Sequence, residues 1–302
     1  MLDTKHKSSY INRMSKTDIQ TRVQILSMLV EGSSMRSVSR VTGTSINTVS
    51  KLLVEAGKAC IEFHDENVRG LKSERIQCDE IWSFCYAKEK NSGKDGQPEF
   101  AGDIWTWTSL DADSKLICNW FAGGRDAEYA NVFMSDLADR LDNRVQLTTD
   151  GHKAYLKAVD GAFGNDIDYA TLIKLYGPSP TGKTVRYSPA ECTGTKKNVQ
   201  TGNPETKHVS TSYVERQNLN MRMGMRRFTR LTNAFSKKYE NHCHALSLYF
   251  VYYNFVRKHT TIKITPAVAA GLATVPYTME WIVSLIEARA PKTGRPMKEI
   301  NT

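Results

Sequence analysis

Asp79 and Glu80 stand side by side in RIQCDEIWSF, a run whose aromatic and branched residues otherwise suit a half-buried strand. An unpaired carboxylate is costly to bury or shifts its pKa, so each acid must face solvent or meet something positive. Asp150 closes RVQLTTD, just ahead of Gly151, and Glu215 opens the helical pattern STSYVERQNLNMRMGMRRF. Two aspartates from strands and a glutamate from a neighbouring helix form a set of hard oxygen donors, the kind Mg²⁺ takes while keeping several waters. A pair of such ions, about 3.5–4 Å apart, activates a water and stabilises the leaving oxygen in phosphodiester cleavage. Plainer roles stay open here: Asp150 as a turn residue before glycine, and Glu215 as a charge favouring the helix dipole.

The elements that must hold these acids follow from residue 74 onward. RIQCDEIWSFCYAKE, DIWTWTSL and KLICNWFAG read as consecutive strands, the last two joined by the tight turn DADS. DAEYANVFMSDLADRLD is a helix, RVQLTTD a fourth strand, HKAYLKAVDGAFG a helix and IDYATLIKL a fifth strand. This order fits an α/β architecture, a mixed five-stranded sheet flanked by helices. Alternation puts Asp79 on one face with Ile81, Ser83 and Cys85, and Glu80 on the other with Cys78, Trp82 and Phe84. Only one of the two acids is therefore expected to point into a given site.

Residues 19–58 read as three short helices, an all-α unit with helix-turn-helix layout. Gly32 ends the first, Ser33 or Ser34 caps the second, Gly43 closes it, and Thr44 or Ser45 caps the third. The start of the third helix would present Ser45, Asn47, Thr48 and Lys51 to a DNA groove. A three-helix unit used for protein contacts is the plainer alternative. The chain of 302 residues carries a formal charge of +9, which favours a polyanionic partner. Six scattered cysteines without a CxxC pair argue against a zinc knuckle and suggest reduced thiols in a cytosol. No signal peptide and no apolar run of membrane-spanning length is evident, so a cytoplasmic protein without a membrane partner is expected.

Together these segments resemble the DDE transposases of bacterial insertion sequences, relatives of retroviral integrases with an RNase H-like core. The resemblance rests on CDEIWSF around Asp79, LTTDGHKAY around Asp150, YVERQNLNMRM around Glu215 and the tail YYNFVRKHTTIKITPAVAAG. It implies that Asp79, Asp150 and Glu215 form a catalytic triad holding two Mg²⁺ ions, with Mn²⁺ an alternative. It also implies cleavage at element ends and strand transfer into target DNA, by a homodimer or higher oligomer near the nucleoid of a bacterium. Arg222 falls seven residues after the glutamate, where related enzymes often carry Lys or Arg, two helical turns along the same face.

Residues 216–238 carry seven Lys/Arg and no acid, so Arg216, Arg222 and Arg226 are expected at DNA phosphates. His259 could touch phosphate or the attacking water. His242 and His244 lie two apart on different helix faces, which argues against a shared metal. The interval before Glu215 holds a Gly/Pro/Thr/Lys-rich insertion at about 176–209, expected to be a mobile loop; it leaves Glu191 and Glu205 as rival third acids. The expected organisation is a flexible start (1–18), helix-turn-helix (19–58), linker or connecting helix (59–73), catalytic core (74–259), and C-terminal helices with a basic tail (260–302). The rival functions are an RNase H-like nuclease or resolvase without joining activity, and a helix-turn-helix regulator with a non-catalytic second domain.

Overall fold

The computed structural model describes residues 17–177, 192–229 and 234–290. Three helices come first: α1 (Ile19–Val30), α2 (Met35–Thr42) and α3 (Ile46–Asn67). Asp18, Ser34 and Ser45 cap them, each accepting a first-turn N–H. Gly43 ends α2 at φ 66°, a left-handed conformation that suits a residue without Cβ. α3 does not stop near residue 58. It continues for 22 residues, about 33 Å. Its second half buries Ala59, Cys60 and Phe63.

The sheet has six strands: β1 (Arg75–Cys85), β2 (Gly102–Asp111), β3 (Ile117–Gly123), β4 (Gln146–Thr149), β5 (Asp168–Tyr176) and β6 (Cys192–Thr201). Their order is β3-β2-β1-β4-β5-β6. The β1/β4 and β4/β5 pairs are parallel, and the other three pairs are antiparallel. The expected five strands are thus corrected to six. β6 lies in the segment read as irregular, because CTGTKKNVQT has no apolar alternation to reveal it. As a polar edge strand it is held by backbone pairing to β5, and its two lysines discourage further pairing.

Helices α4 (Ala127–Ala138) and α5 (Ala154–Phe163) follow β3 and β4, and α6 (Ser212–Gly224) follows β6. Then come α7 (Tyr239–Val251), a π-helical turn (Tyr252–Val256), α8 (Pro266–Ala269) and α9 (Met279–Arg289). One continuous apolar core runs from α1 to α9 and includes Trp107, Phe133, Tyr155 and Phe250. α3 and α7 cross at Gly57, where an added Cβ would sit 2.4 Å from the His244 Cβ. There the Ser247 hydroxyl donates to the Gly57 carbonyl at 2.8 Å. α9 closes over the N-terminal helices through Arg22–Glu287 at 2.8 Å, with Arg289 reaching Glu62 and Glu66 on α3. All six cysteines are free thiols, and no described helix is long and apolar enough to cross a membrane. The basic tail lies outside the described residues.

Candidate active site

Parallel pairing sets two of the acids together. Ile76 lies opposite Leu147 and Gln77 opposite Thr148. Two residues further in that register, Asp79 stands beside Asp150, just past the end of β4. Gly151 allows the chain to turn there; a Cβ would press on Ile173 Cγ1 of β5 at 3.0 Å. The His152 N–H donates to Asp150 Oδ1 at 2.8 Å and fixes that carboxylate.

Glu215 is positioned from the same strand. The first N–H groups of α6, on Tyr213 and Val214, donate to Gln77 Oε1 at 2.9 and 3.2 Å. A side chain of β1 therefore caps the helix that carries the third acid, meeting donors with no intrahelical partner. Thr211, the residue before the helix, does not cap it; its hydroxyl donates to Glu215 Oε1 at 2.5 Å. Lys174 of β5 forms an ion pair with the other oxygen. Asp79, Arg125, Asp150, His152, Lys174 and Glu215 line one open cleft of about 500 Å³.

The two neighbouring acids of β1 have opposite surroundings. Glu80 turns toward α5 and is buried; Arg125 donates to it at 2.6–2.7 Å and the Tyr155 hydroxyl at 3.0 Å. Burial and Asp150 still push its pKa above the ordinary carboxylate range, against the pull of Arg125. Asp79 faces α6, where the Asn218 amide donates to Oδ2 at 2.8 Å. It forms no ion pair among the described residues. Burial, followed by the charges of Glu80 and Asp150, pushes its pKa up to about 7.

Both acids of β1 reach Asp150, although alternation predicts only one of them at the site. One oxygen each from Asp79, Glu80 and Asp150 lie within 4.8 Å of one another, so both acids of β1 border the Asp150 carboxylate. Alternation separates their Cβ atoms, but Asp150 stands past the last β1/β4 pair and is not confined to one face of the sheet.

The donor set fits a divalent cation. The converging groups are hard carboxylate oxygens, as Mg²⁺ or Mn²⁺ requires. Burial first, and then the charges of Glu80 and Asp150, raise the pKa of Asp79, and a cation beside it would offset both. Asn218 Oδ1, buried beside Asp79, has no hydrogen-bond partner among the described residues.

Other sequence-derived candidates are dispersed. Asn47 and Lys51 are exposed near the start of α3, whereas Ser45 and Thr48 bond to each other in its cap. Arg216 is exposed on α6 but lines a different cavity, together with His259. His259 does not line the acidic cleft, so a contact with water at the acids has no support in its position. Arg222 is half-buried and Arg226 exposed, and neither lines that cleft. Glu205 pairs with Lys207 at 2.8 Å and is also outside the cleft. Glu191 and Arg230 lie outside the described residues. His242 is a core residue between the Ser83 and Ser236 hydroxyls, with its pKa pulled down to about 3 by burial.

Sequence reasoning overlooked Lys174, Arg125 and Asn218. Asn218 was accessible from helical spacing, three residues after Glu215 on one face. Lys174 was the lone charge in ATLIKL. Arg125 had no local signal, because tertiary packing alone brings it to Glu80.

No protein-family model and no curated protein matches the chain. Among solved structures it is similar to the Mos1 transposase paired-end complex with left transposon end, at 12% identity over 53% of this chain and 59% of that one, TM-score 0.21. It is similar to the piggyBac transposase synaptic complex with hairpin DNA at 7% identity over 92% and 73%, TM-score 0.38. The Mos1 mariner paired-end complex with Mn gives 16% identity over 53% and 60%, TM-score 0.21. The matched region thus spans about three fifths of these two Mos1 chains.

Proposed function

We propose that this protein is a DDE-type DNA transposase that cleaves a phosphodiester at element ends and joins the freed 3′-OH to target DNA. The observation that carries the reading is the juxtaposition of Asp79 and Asp150 through the β1/β4 register, with Glu215, outside their cluster of converging oxygens, on the wall of the same cleft. Asp79, Asp150 and Glu215 would hold two divalent ions. When bound, the ions would activate a water, or later a 3′-OH, and stabilise the departing oxygen.

The chain's own groups prepare this arrangement. Asn218 orients one Asp79 oxygen, and the backbone N–H of Glu80 takes the other at 2.9 Å. The His152 N–H orients Asp150. Lys174 pairs with Glu215 and so holds it at the wall of the cleft. Arg125 holds Glu80 against Tyr155 and so leaves Asp79 as the β1 acid open to α6. The exposed Asn47 and Lys51 would contact the element end.

The deciding experiment incubates the purified protein with candidate element ends and target DNA, with and without Mg²⁺. Cleavage and joined product, both lost in Asp79→Asn with end binding retained, are expected. Cleavage without joining would make it a nuclease or resolvase. End binding without any metal-dependent cleavage would make it a regulator. Asn47→Ala and Lys51→Ala should each weaken end binding; normal binding by both would place recognition elsewhere.

A further inference from the structure

A second cavity, of about 530 Å³, opens on the other flank of α6. Four cations reach it from three separate parts of the chain: Lys115 from the β2–β3 turn, Arg216 from α6, and Arg257 and Lys258 from the segment after the π-helical turn. His259 stands beside them, and no carboxylate lines the cavity. None of these four cations forms an ion pair among the described residues. The acids of the β2–β3 turn are engaged elsewhere: Asp111 accepts from the Ser73 hydroxyl at 2.7 Å, and Asp113 pairs with Arg75.

Lys115 shows that the wall is specifically shaped. Its backbone is left-handed at φ 65°, unusual for a residue with Cβ. Its side chain is buried, bonds to the Ala112 carbonyl and lies 3.4 Å from the centre of the Tyr213 ring. Tyr213 nevertheless remains 45% exposed, so part of its surface is open to another flat partner.

The position relates this cavity to the acids. Glu215 and Arg216 are consecutive in α6, their Cα atoms about 3.8 Å apart and their side chains about 100° apart around the helix. Phosphates in a DNA strand advance about 3.4 Å per nucleotide along a duplex. A strand crossing the start of α6 would therefore bring phosphates to both flanks within about one to three nucleotides. The cavity is too small for a duplex and large enough for a nucleotide.

We infer that this cavity binds one nucleotide of a single DNA strand beside the scissile bond, its phosphate on Arg216, Arg257 and Lys258 and its base against Tyr213. The inference rests on the transposase reading, but its test does not require cleavage. Fluorescence anisotropy of a labelled single-stranded oligonucleotide, with the full chain in EDTA over a range of salt, measures affinity and salt slope. Arg257→Ala/Lys258→Ala should weaken binding about tenfold and flatten the slope by up to about 0.7, the contribution of the one phosphate these cations hold. Tyr213→Ala should weaken binding with the slope unchanged, because stacking carries no counterion term. Circular dichroism establishes that each variant is folded.

An unchanged slope and affinity in the folded double variant would overturn the inference, as would failure of the wild type to bind the oligonucleotide. Displacement of the oligonucleotide by inorganic phosphate at low millimolar concentration would also overturn it, by making this a free-anion site. Displacement only by a second oligonucleotide supports it. If the wild type cleaves element ends while the double variant binds like wild type, the cavity assignment fails and the transposase reading stands. If the slope falls in the double variant but the wild type never cleaves, the cavity stands and the catalytic reading fails.

Discussion

Asp79 and Glu80 are neighbours in one strand, yet the two faces of β1 treat them oppositely. On the α5 face Glu80 meets Arg125 and Tyr155, and its negative charge is answered within the fold. On the α6 face Asp79 has an amide, a backbone N–H and two further carboxylates nearby. Buried charge is normally paired, and a matched pair is chiefly a structural matter. The unmatched acid is where outside positive charge has something to gain. The general lesson is that a shifted pKa becomes informative when a neighbouring acid of the same strand shows what compensation looks like.

The sharpest way to break this contrast is Asp79→Asn. Metal-dependent cleavage should fall to background, whereas Glu80→Gln should retain most of it; the reverse result would make Glu80 the ligand. Arg125→Ala should be the more damaging change to stability, costing about 1–2 kcal/mol in urea denaturation: it leaves Glu80 buried without its cation, though the Arg125 end of the pair is open to solvent and Tyr155 still donates to Glu80. A loss below about 0.5 kcal/mol would mean that Glu80 is not held as described. Next comes pH. The folded-state pKa of Asp79 is raised to about 7 from 3.8, so the folded protein binds the extra proton in between. Metal-free stability should therefore fall as pH rises from about 4 to 7, by at most about 1.4 kcal/mol per unit from this group. Thermal melts in EDTA at pH 5 and pH 7.5 should show the fall, and Asp79→Asn should reduce it. The smallest effect is expected for Lys174→Met. Freeing Glu215 from its ion pair should lower the Mg²⁺ concentration for half-maximal cleavage a few-fold, and an increase instead would mean that Lys174 supports catalysis directly.

Much of this contrast was visible in the amino-acid order. Strand alternation set the Cβ atoms of Asp79 and Glu80 on opposite faces but did not reveal that both carboxylates border Asp150, and helical patterning placed Glu215 in the first turn of α6. The sixth strand was hidden because a polar edge strand buries nothing and so has no alternation to read. Arg125 and Lys174 were hidden for a different reason: their partners lie 45 and 41 residues away, beyond any local period. The basic cavity gathers residues from 110 to 261 and had no single motif to reveal it, although Arg216 and His259 were already suspected separately.

The close crossing at Gly57 has a consequence for distance. Its missing side chain lets α3 lie against α7, and the same unbroken helix carries Asn47 and Lys51 at its far end. In the proposed reading, α3 acts as a ruler. The number of base pairs between the recognised sequence and the cut would be set by a rigid rod, and a bulky residue at position 57 would shift the cut site or blur it.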